Sequence, residues 1–322
     1  MLAPEALLLH LSEFKPSRPK ASAASWEALS QLAPMHGLAP LIAYNLEYRL
    51  GGAGAPQVVR DVLLSHYQGS LADNVFKFVN LKKALAECAD AQVILLEAAA
   101  FADSLYPHVA FRPASELRLL VRHAELEKVK HGLGAAGYGP TPDPDPLGGV
   151  AVVTDERTRI VIHTRLFPDA RAAEEAGLWQ RALPSRAFGV NARRPAAEDA
   201  LLSAVLLQAR QAFDVPLIQT LDLRELVRGA PDLGGPYSQP LDAKLVLERA
   251  ATLKLERALW TAMELLGVLF PVDRERAQAW QPPIRKASQA LLRKIVVAPL
   301  QDLARTRAPR GLDRLRALLA GG

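Results

Sequence analysis

Apolar residues recur every three or four positions along the first 90 residues, which is the spacing of helices with one buried face. The pattern predicts short helices around residues 8–14, 26–32 and 36–46. After a glycine-rich turn at residues 51–56, it predicts one long helix from Gln57 to Ala89. The start of the chain therefore reads as a helical region.

The pattern changes between residues 91 and 190, where short apolar runs replace the helical spacing. The runs Val93–Leu96 and Leu117–Val121 predict buried strands, and residues 150–153 and 158–166 predict a hairpin. Short helices are expected at residues 97–105 and 124–133, and the prolines of residues 140–149 predict a loop. Strands and helices in this order predict a small mixed sheet backed by helices.

Helical spacing returns after about residue 195 and predicts helices at residues 200–213, 217–228, 243–266, 283–297 and 310–319. The fold class expected from the whole pattern is α+β. A small mixed β-sheet core in residues 91–190 is flanked by an N-terminal helical region in residues 1–90. A C-terminal helical domain with a basic tail occupies residues 191–322.

Composition narrows the protein class. Of 322 residues, 50% are apolar and 23% charged, which is ordinary for a globular protein. No apolar run reaches the roughly 18 residues needed to span a bilayer. The single cysteine, Cys88, excludes an internal disulfide and a cysteine-based zinc site, and it fits a reducing compartment. We therefore expect a cytoplasmic protein without a transmembrane segment.

The net charge of +5 is unevenly placed. Residues 283–322 carry nine basic and two acidic residues, whereas the rest of the chain is slightly acidic. The basic residues of this segment are Arg285, Lys286, Arg293, Lys294, Arg305, Arg307, Arg310, Arg314 and Arg316. Such a segment can bind nucleic acid or an anionic membrane surface, or it can be the solvated face of a helix.

The segment from Val93 to Val121 reads VILLEAAAFADSLYPHVAFRPASELRLLV. It resembles the core of a bacterial family of uncharacterised nucleotidyltransferases with the polymerase-β-type fold. The sequence pattern of that family begins with an apolar strand and the motif Leu-Lys-Gly-Ala-Ala. The motifs Leu-Tyr-Pro and Arg-Pro-x-x-Asp-x-Asp-Leu-Leu-Val follow. The resemblance aligns Arg112 and Pro113 with the Arg-Pro pair, and it extends to the phrase Asp222–Arg224.

The resemblance implies a chemistry that the aligned residues here do not supply. Nucleotidyl transfer of this type uses two Mg²⁺ ions, which prefer carboxylate ligands. The Asp-x-Asp pair is replaced by Glu116 and Arg118, and the Lys-Gly pair by Glu97 and Ala98. The strand that would carry the third acid reads Arg159–His163 and has none. We expect no metal site and no cofactor; Mg²⁺ would be needed only if the chain were active.

The residues expected at this degenerate site are Glu97, Ser115, Glu116, Arg118 and His163. Ala98, Arg112 and Ser115 would lie where the family binds its nucleotide. Because Glu97 and Arg118 both invert the charge of the family pattern, we expect Arg118 to pair with Glu97 or Glu116. Asp143 and Asp145, in the proline-rich loop, are expected to be solvated.

Three functions remain open at this point. The first is a catalytically degenerate nucleotidyltransferase fold that acts as a binding or adaptor protein, with a protein partner or a nucleotide bound without turnover. The second is an active Mg²⁺-dependent nucleotidyltransferase that uses Glu116 and other acids on an unknown acceptor. The third is binding of nucleic acid or a membrane surface through the basic C-terminal segment.

Overall fold

A computed structural model of the chain describes residues 1–88, 91–167, 172–229, 237 and 240–304. The N-terminal helices are α1 (Pro4–Leu11), α2 (Ala23–Met35), α3 (Ala39–Tyr44) and α4 (Gln57–Glu87). A π-helical turn, Asn45–Arg49, extends α3. The long helix predicted before the sheet is confirmed as α4, which has 31 residues.

The sheet contains seven strands in the part of the chain that the structure describes. They are β1 (Val93–Leu96), β2 (Leu117–Val121), β3 (Gly139–Pro140), β4 (Ala151–Thr154), β5 (Arg159–His163), β6 (Leu183–Pro184) and β7 (Ala192–Arg194). Their order across the sheet is β3-β4-β5-β2-β1-β7-β6. β1 and β2 are antiparallel, whereas β2 with β5 and β1 with β7 are parallel. The predicted strands at residues 93–96 and 117–121 and the predicted hairpin are confirmed.

Helices α5 (Ala98–Phe101), α6 (Leu126–Ala135) and α7 (Ala172–Arg181) connect these strands. Single 3-10 turns lie at Val109–Phe111, His123–Glu125 and Arg186–Phe188. The helix predicted at residues 97–105 is wrong in length, because regular α-helix ends at Phe101 and a chain of turns leads towards Pro107. The proline-rich segment is a loop apart from Pro140, which pairs with Val153 in the short strand β3.

The C-terminal helices are α8 (Ala197–Arg210), α9 (Leu217–Arg228), α10 (Ala243–Thr252), α11 (Glu256–Leu269), α12 (Arg274–Ala279), α13 (Lys286–Leu292) and α14 (Ala298–Leu300). A 3-10 turn at Pro271–Asp273 precedes α12, and a π-helical turn at Arg293–Val297 joins α13 to α14. The single helix predicted at residues 243–266 is wrong. Lys254 has a φ of 58°, and this left-handed residue breaks the segment into α10 and α11. The helix predicted at residues 310–319 lies outside the described residues.

These elements make an α+β fold with a mixed sheet between helical regions, as the pattern predicted. The two central strands, β1 and β2, are buried along their whole length and lie in the hydrophobic core. Both faces of these strands are apolar except at a few positions, and those positions define the candidate site below. Among the described residues, no helix is long and apolar enough to cross a membrane.

Candidate functional site at the end of the central strands

The candidate site lies where β1 ends and β2 begins. Leu96 pairs with Arg118 in the antiparallel register of these strands, so Glu97 directly follows this last pair and Glu116 directly precedes β2. Alternate residues of a strand point to the same face, which places Glu116 and Arg118 together. On the parallel strand β5, Val161 pairs with Arg118, so His163 lies on that face as well.

The side chain of Arg118 is the centre of the site and is 3% exposed. Its Nε lies 3.1 Å from Oε2 of Glu97. Its Nη2 contacts Oε1 of Glu116 and lies 3.0 Å from Oδ1 of Asp145, while Nη1 lies 3.2 Å from Oδ2 of the same carboxylate. The predicted pairing of Arg118 with Glu97 or Glu116 is therefore confirmed, and both acids take part. We call Arg118, Glu97, Glu116, Asp145 and His163 the Arg118 cluster.

His163 is fully buried beside this guanidinium. Its Nε2 lies 3.0 Å from Nη1 of Arg118. Arginine is always protonated in proteins, so Arg118 is the donor and the imidazole is the acceptor. Burial, together with the charge of Arg118, lowers the pKa of His163 to about 4. The imidazole is therefore neutral near pH 7 and leaves the positive charge of the cluster on Arg118.

Asp145 was expected to be solvated, and this expectation is wrong. Its side chain is 1% exposed, and it accepts a hydrogen bond of 2.7 Å from the backbone N–H of Gly149. Burial alone would raise the pKa of Asp145, but the hydrogen bond and charge of Arg118 bring that pKa below its ordinary value. A Cβ at position 149 would lie 2.5 Å from Val161, so glycine allows the loop to close over β5.

Glu97 has a backbone conformation that favours glycine, with φ 47° and ψ −125°. A non-glycine residue held in such a region costs about 1–3 kcal/mol and persists only where its surroundings enforce it. Burial raises the pKa of the Glu97 carboxyl, and the charge of Arg118 opposes that effect. Ala98, which follows, is buried at the first position of α5. The backbone thus turns sharply at the residue that supplies one carboxylate to Arg118.

Among the described residues, Arg112 and Ser115, also expected at the nucleotide position, form no hydrogen bond with the Arg118 cluster, although the charge of Arg112 acts on Glu97. Arg112 is buried, and its guanidinium binds the carboxylate of Asp222 at 2.8 Å. Tyr106 donates a second hydrogen bond of 2.7 Å to Asp222. Ser115 is exposed in the turn before β2. Arg112 therefore joins the sheet region to α9 and is not free to bind a phosphate.

A second group of ion pairs, which the sequence did not predict, lies on α9. Arg224 is fully buried and binds Glu13 and Asp273, the latter at 2.8 Å. Arg228 binds the same two acids, at 2.9 Å and 2.7 Å. Glu225 lies 3.6 Å from Arg224, and burial raises the pKa of its carboxyl to about 7. We call these five residues the Arg224 cluster.

The basic C-terminal segment is only partly described. Arg285, Lys286 and Lys294 are exposed, whereas Arg293 binds Glu264 at 2.6 Å and lies over the ring of Trp260. The remaining basic residues of the segment, Arg305, Arg307, Arg310, Arg314 and Arg316, lie outside the described residues. A role for this segment in binding nucleic acid or membranes stays a prediction.

The Arg118 cluster does not fit a divalent metal. Among the described residues, no group of three or more histidine, cysteine or acidic side chains is arranged to hold a metal ion. The acids that converge here are already bound to the guanidinium of Arg118. A permanently charged group in this place repels a cation and removes its ligands.

Comparison with known proteins agrees with this architecture. The model of a family described as uncharacterised nucleotidyltransferase matches residues 22–271, so the chain belongs to this family. No curated protein and no solved structure matches the chain significantly. The matched range includes the whole sheet, the Arg118 cluster and α9.

Proposed function

We propose that this nucleotidyltransferase-family protein is catalytically degenerate and acts as a binding or adaptor protein. The observation that supports the proposal best is the position of Arg118, whose guanidinium lies among Glu97, Glu116 and Asp145. In the family pattern that the sequence resembles, an aspartate stands at this place in the strand. An internal cation thus takes the place of an external one.

Electrostatics argues against a metal in the presence of this guanidinium. Two unit charges 4 Å apart interact by about 4 kcal/mol at an effective dielectric constant near 20, so a divalent cation would meet a repulsion of about 8 kcal/mol. The ion would also need the carboxylates that Arg118 already holds. Both effects act in the same direction.

Glu97, the residue just before α5, also argues against binding of a nucleotide. Helix starts bind phosphate through backbone N–H groups and positive charge. Here Glu97 places a carboxylate next to this position, where the family pattern has lysine. Arg112, the nearest further cation expected to face a phosphate, is neutralised by Asp222. The polar groups of this region bind each other, which suits a fold retained for contacts with a partner.

An active Mg²⁺-dependent enzyme is the second candidate, and one observation favours it. Three carboxylates surround the guanidinium of Arg118, and carboxylate oxygens are the ligands that Mg²⁺ prefers. If Arg118 left the cluster when a substrate bound, Glu116 would be the acid nearest the solvent, since its side chain is 26% exposed. If the chain is an active enzyme, its activity must depend on Glu116.

The two candidates are separated by a nucleotide-binding screen on the full chain. ATP, GTP, CTP and UTP are titrated with and without Mg²⁺ or Mn²⁺, and binding is followed by thermal shift and calorimetry. The degenerate site predicts no metal-dependent stabilisation by any of them. Metal-dependent binding that is lost in Glu116→Gln, with the exposed variant Glu248→Gln as a control, would overturn the proposal in favour of the enzyme.

A further inference from the structure

The outer face of α4 carries apolar and small residues where a solvated helix would carry charges. Val58, Val62 and Val79 are 69%, 38% and 47% exposed, although α4 already buries its opposite face in the core. β-branched residues are not favoured in helices, so their presence on an open surface needs another reason. Exposed apolar patches of this kind mark interaction surfaces.

The spacing of these residues is that of a coiled coil. Alternating steps of four and three residues lead along one side of α4, which we call the seam. Its residues are Val58, Val62, Ser65, Gly69, Ala72, Phe76, Val79 and Lys83. The middle of the seam consists of small residues, and the largest member is Phe76, which is half-buried. Such a seam allows another helix to pack along α4 over most of its 31 residues.

Gly69 lies at the centre of the seam and supports a close approach of another helix. Glycine in a helix interior costs about 1 kcal/mol relative to alanine. The fold itself does not require glycine here, since a Cβ at this position would meet nothing within 4 Å. A glycine that the monomer does not need is explained if a second backbone approaches at this point.

We propose that α4 is the interface of an antiparallel dimer, in which the α4 helix of a second copy of this chain packs along the seam. A two-fold axis midway between Gly69 and Ala72 places residues at equal distances from that point opposite each other. Val62 then meets Val79 of the second copy. The valines that meet are already exposed in each copy, whereas the Arg157 side chain, which lies over the Phe76 ring, has to shift to admit the second helix.

Size and charge are complementary in this pairing. The axis places the smallest polar residue of the seam, Ser65, opposite its largest, Phe76, and Arg157 already lies 4.3 Å from the centre of the Phe76 ring. Asp61, beside Val62, comes next to Lys82 of the second copy at the edge of the seam. Lys82 has no ion pair with any residue that the structure describes, so this contact would give it one. An antiparallel copy therefore matches the seam from Val62 to Val79, and Val58 lies opposite Lys83 of the second copy at each end.

The mass of the full chain in solution tests the proposal. Sedimentation velocity over roughly 1–100 µM protein is expected to show twice the chain mass of 34.9 kDa, with dissociation on dilution. Gly69→Arg places a long charged side chain at the axis and is expected to give a monomer with an unchanged melting curve at low concentration. Ala251→Arg, at an exposed helical position away from α4, is the control and should leave the dimer intact.

A charge exchange tests the antiparallel geometry. Asp61→Lys and Lys82→Asp are each expected to weaken the dimer roughly tenfold, since each brings like charges together at both ends of the seam. The double variant restores opposite charges and should restore the dimer. A wild-type chain that stays monomeric over the whole range, or a dimer that Gly69→Arg leaves intact, would overturn the proposal. Assembly only with a different protein would overturn it as well.

Discussion

The Arg118 cluster and the Arg224 cluster both bury an arginine among carboxylates, yet they differ in what they connect. Arg224 joins Glu13, before α2, to Asp273, before α12, so the Arg224 cluster holds distant helices together. Arg118 joins strand ends and a loop, and one of its acids, Glu116, remains 26% exposed.

This difference fits a structural role for the Arg224 cluster and the proposed replacement of a metal site by the Arg118 cluster. A buried ion pair contributes little net stability, but removing one partner leaves an uncompensated charge. In the Arg224 cluster such a loss would separate helices from opposite ends of the chain. In the Arg118 cluster it would leave three acids around a vacant position that a cation from solvent can reach. The clusters should therefore respond differently to loss of their arginine and to added metal.

The largest effect is expected for Arg224→Ala. Glu13, Glu225 and Asp273 would lose a fully buried partner, and Arg228 alone would face them. We expect the free energy of unfolding to fall by about 3–5 kcal/mol. Urea denaturation measures this change, and added Mg²⁺ should not reverse it. The exposed Lys244→Ala serves as the control, and a loss below 1 kcal/mol would contradict the structural role.

Arg118→Ala should destabilise the chain somewhat less, by about 2–4 kcal/mol, because solvent reaches Glu116 and partly screens the unpaired acids. Millimolar Mg²⁺ should restore part of this loss, since a cation can enter among the three carboxylates. The same urea denaturation with and without Mg²⁺ measures both effects. If Mg²⁺ restored Arg224→Ala and Arg118→Ala equally, the proposed difference between the clusters would be wrong.

The two clusters should also have opposite pH dependences. His163 has its pKa lowered from 6.5 to about 4 in the folded chain, so its contribution to stability is lost as the pH falls from 6.5 towards 4. Glu225 has its pKa raised from 4.5 to about 7, so stability is lost as the pH rises from 4.5 through 7. Each effect is on the order of 3 kcal/mol, and in the wild type they partly cancel.

Single variants separate these two contributions. Glu225→Gln should gain stability relative to the wild type as the pH rises, whereas His163→Asn should remove the loss of stability in acid. Unfolding free energies measured at several values between about pH 5 and 8 reveal both slopes. Parallel curves for the wild type and both variants would show that neither group titrates as described.

The smallest effect concerns the backbone at Glu97. Glu97→Ala and Glu97→Gly both remove the carboxylate next to Arg118, but only glycine adopts a φ of 47° without strain. Glu97→Gly should therefore be about 1 kcal/mol more stable than Glu97→Ala. Thermal unfolding of the two variants measures the difference, and the opposite order would show that the turn at Glu97 is not strained.

Much of the sheet could be predicted from the sequence because its central strands are short, continuous apolar runs. The pairing of Arg118 with Glu97 or Glu116 was also predicted, because the resemblance to the family aligned these three residues with its catalytic site. Asp145 could not be placed this way, because a loop position carries no periodicity. Gly149 was the available signal, as a glycine that lets the loop close over β5.

Other features depend on contacts between distant parts of the chain. The break at Lys254 lies between two helices that both pack on α8, whereas helical spacing in the sequence continues across it. The Arg224 cluster joins residues more than 200 positions apart, so no local pattern indicates it. The apolar spacing along α4 predicted the helix but not that Val58, Val62 and Val79 stay exposed, because exposure depends on which neighbours pack against the helix.

The central claim is that Arg118 occupies the place of a metal ion. Calorimetric titration of Mn²⁺ into the wild type and into Arg118→Asp tests it directly, because the variant restores an acid at this position beside Glu116. The claim predicts no specific binding to the wild type and a new site in Arg118→Asp that is lost when Asp145→Asn is added. Specific Mn²⁺ binding by the wild type, abolished by Glu116→Gln, would contradict it.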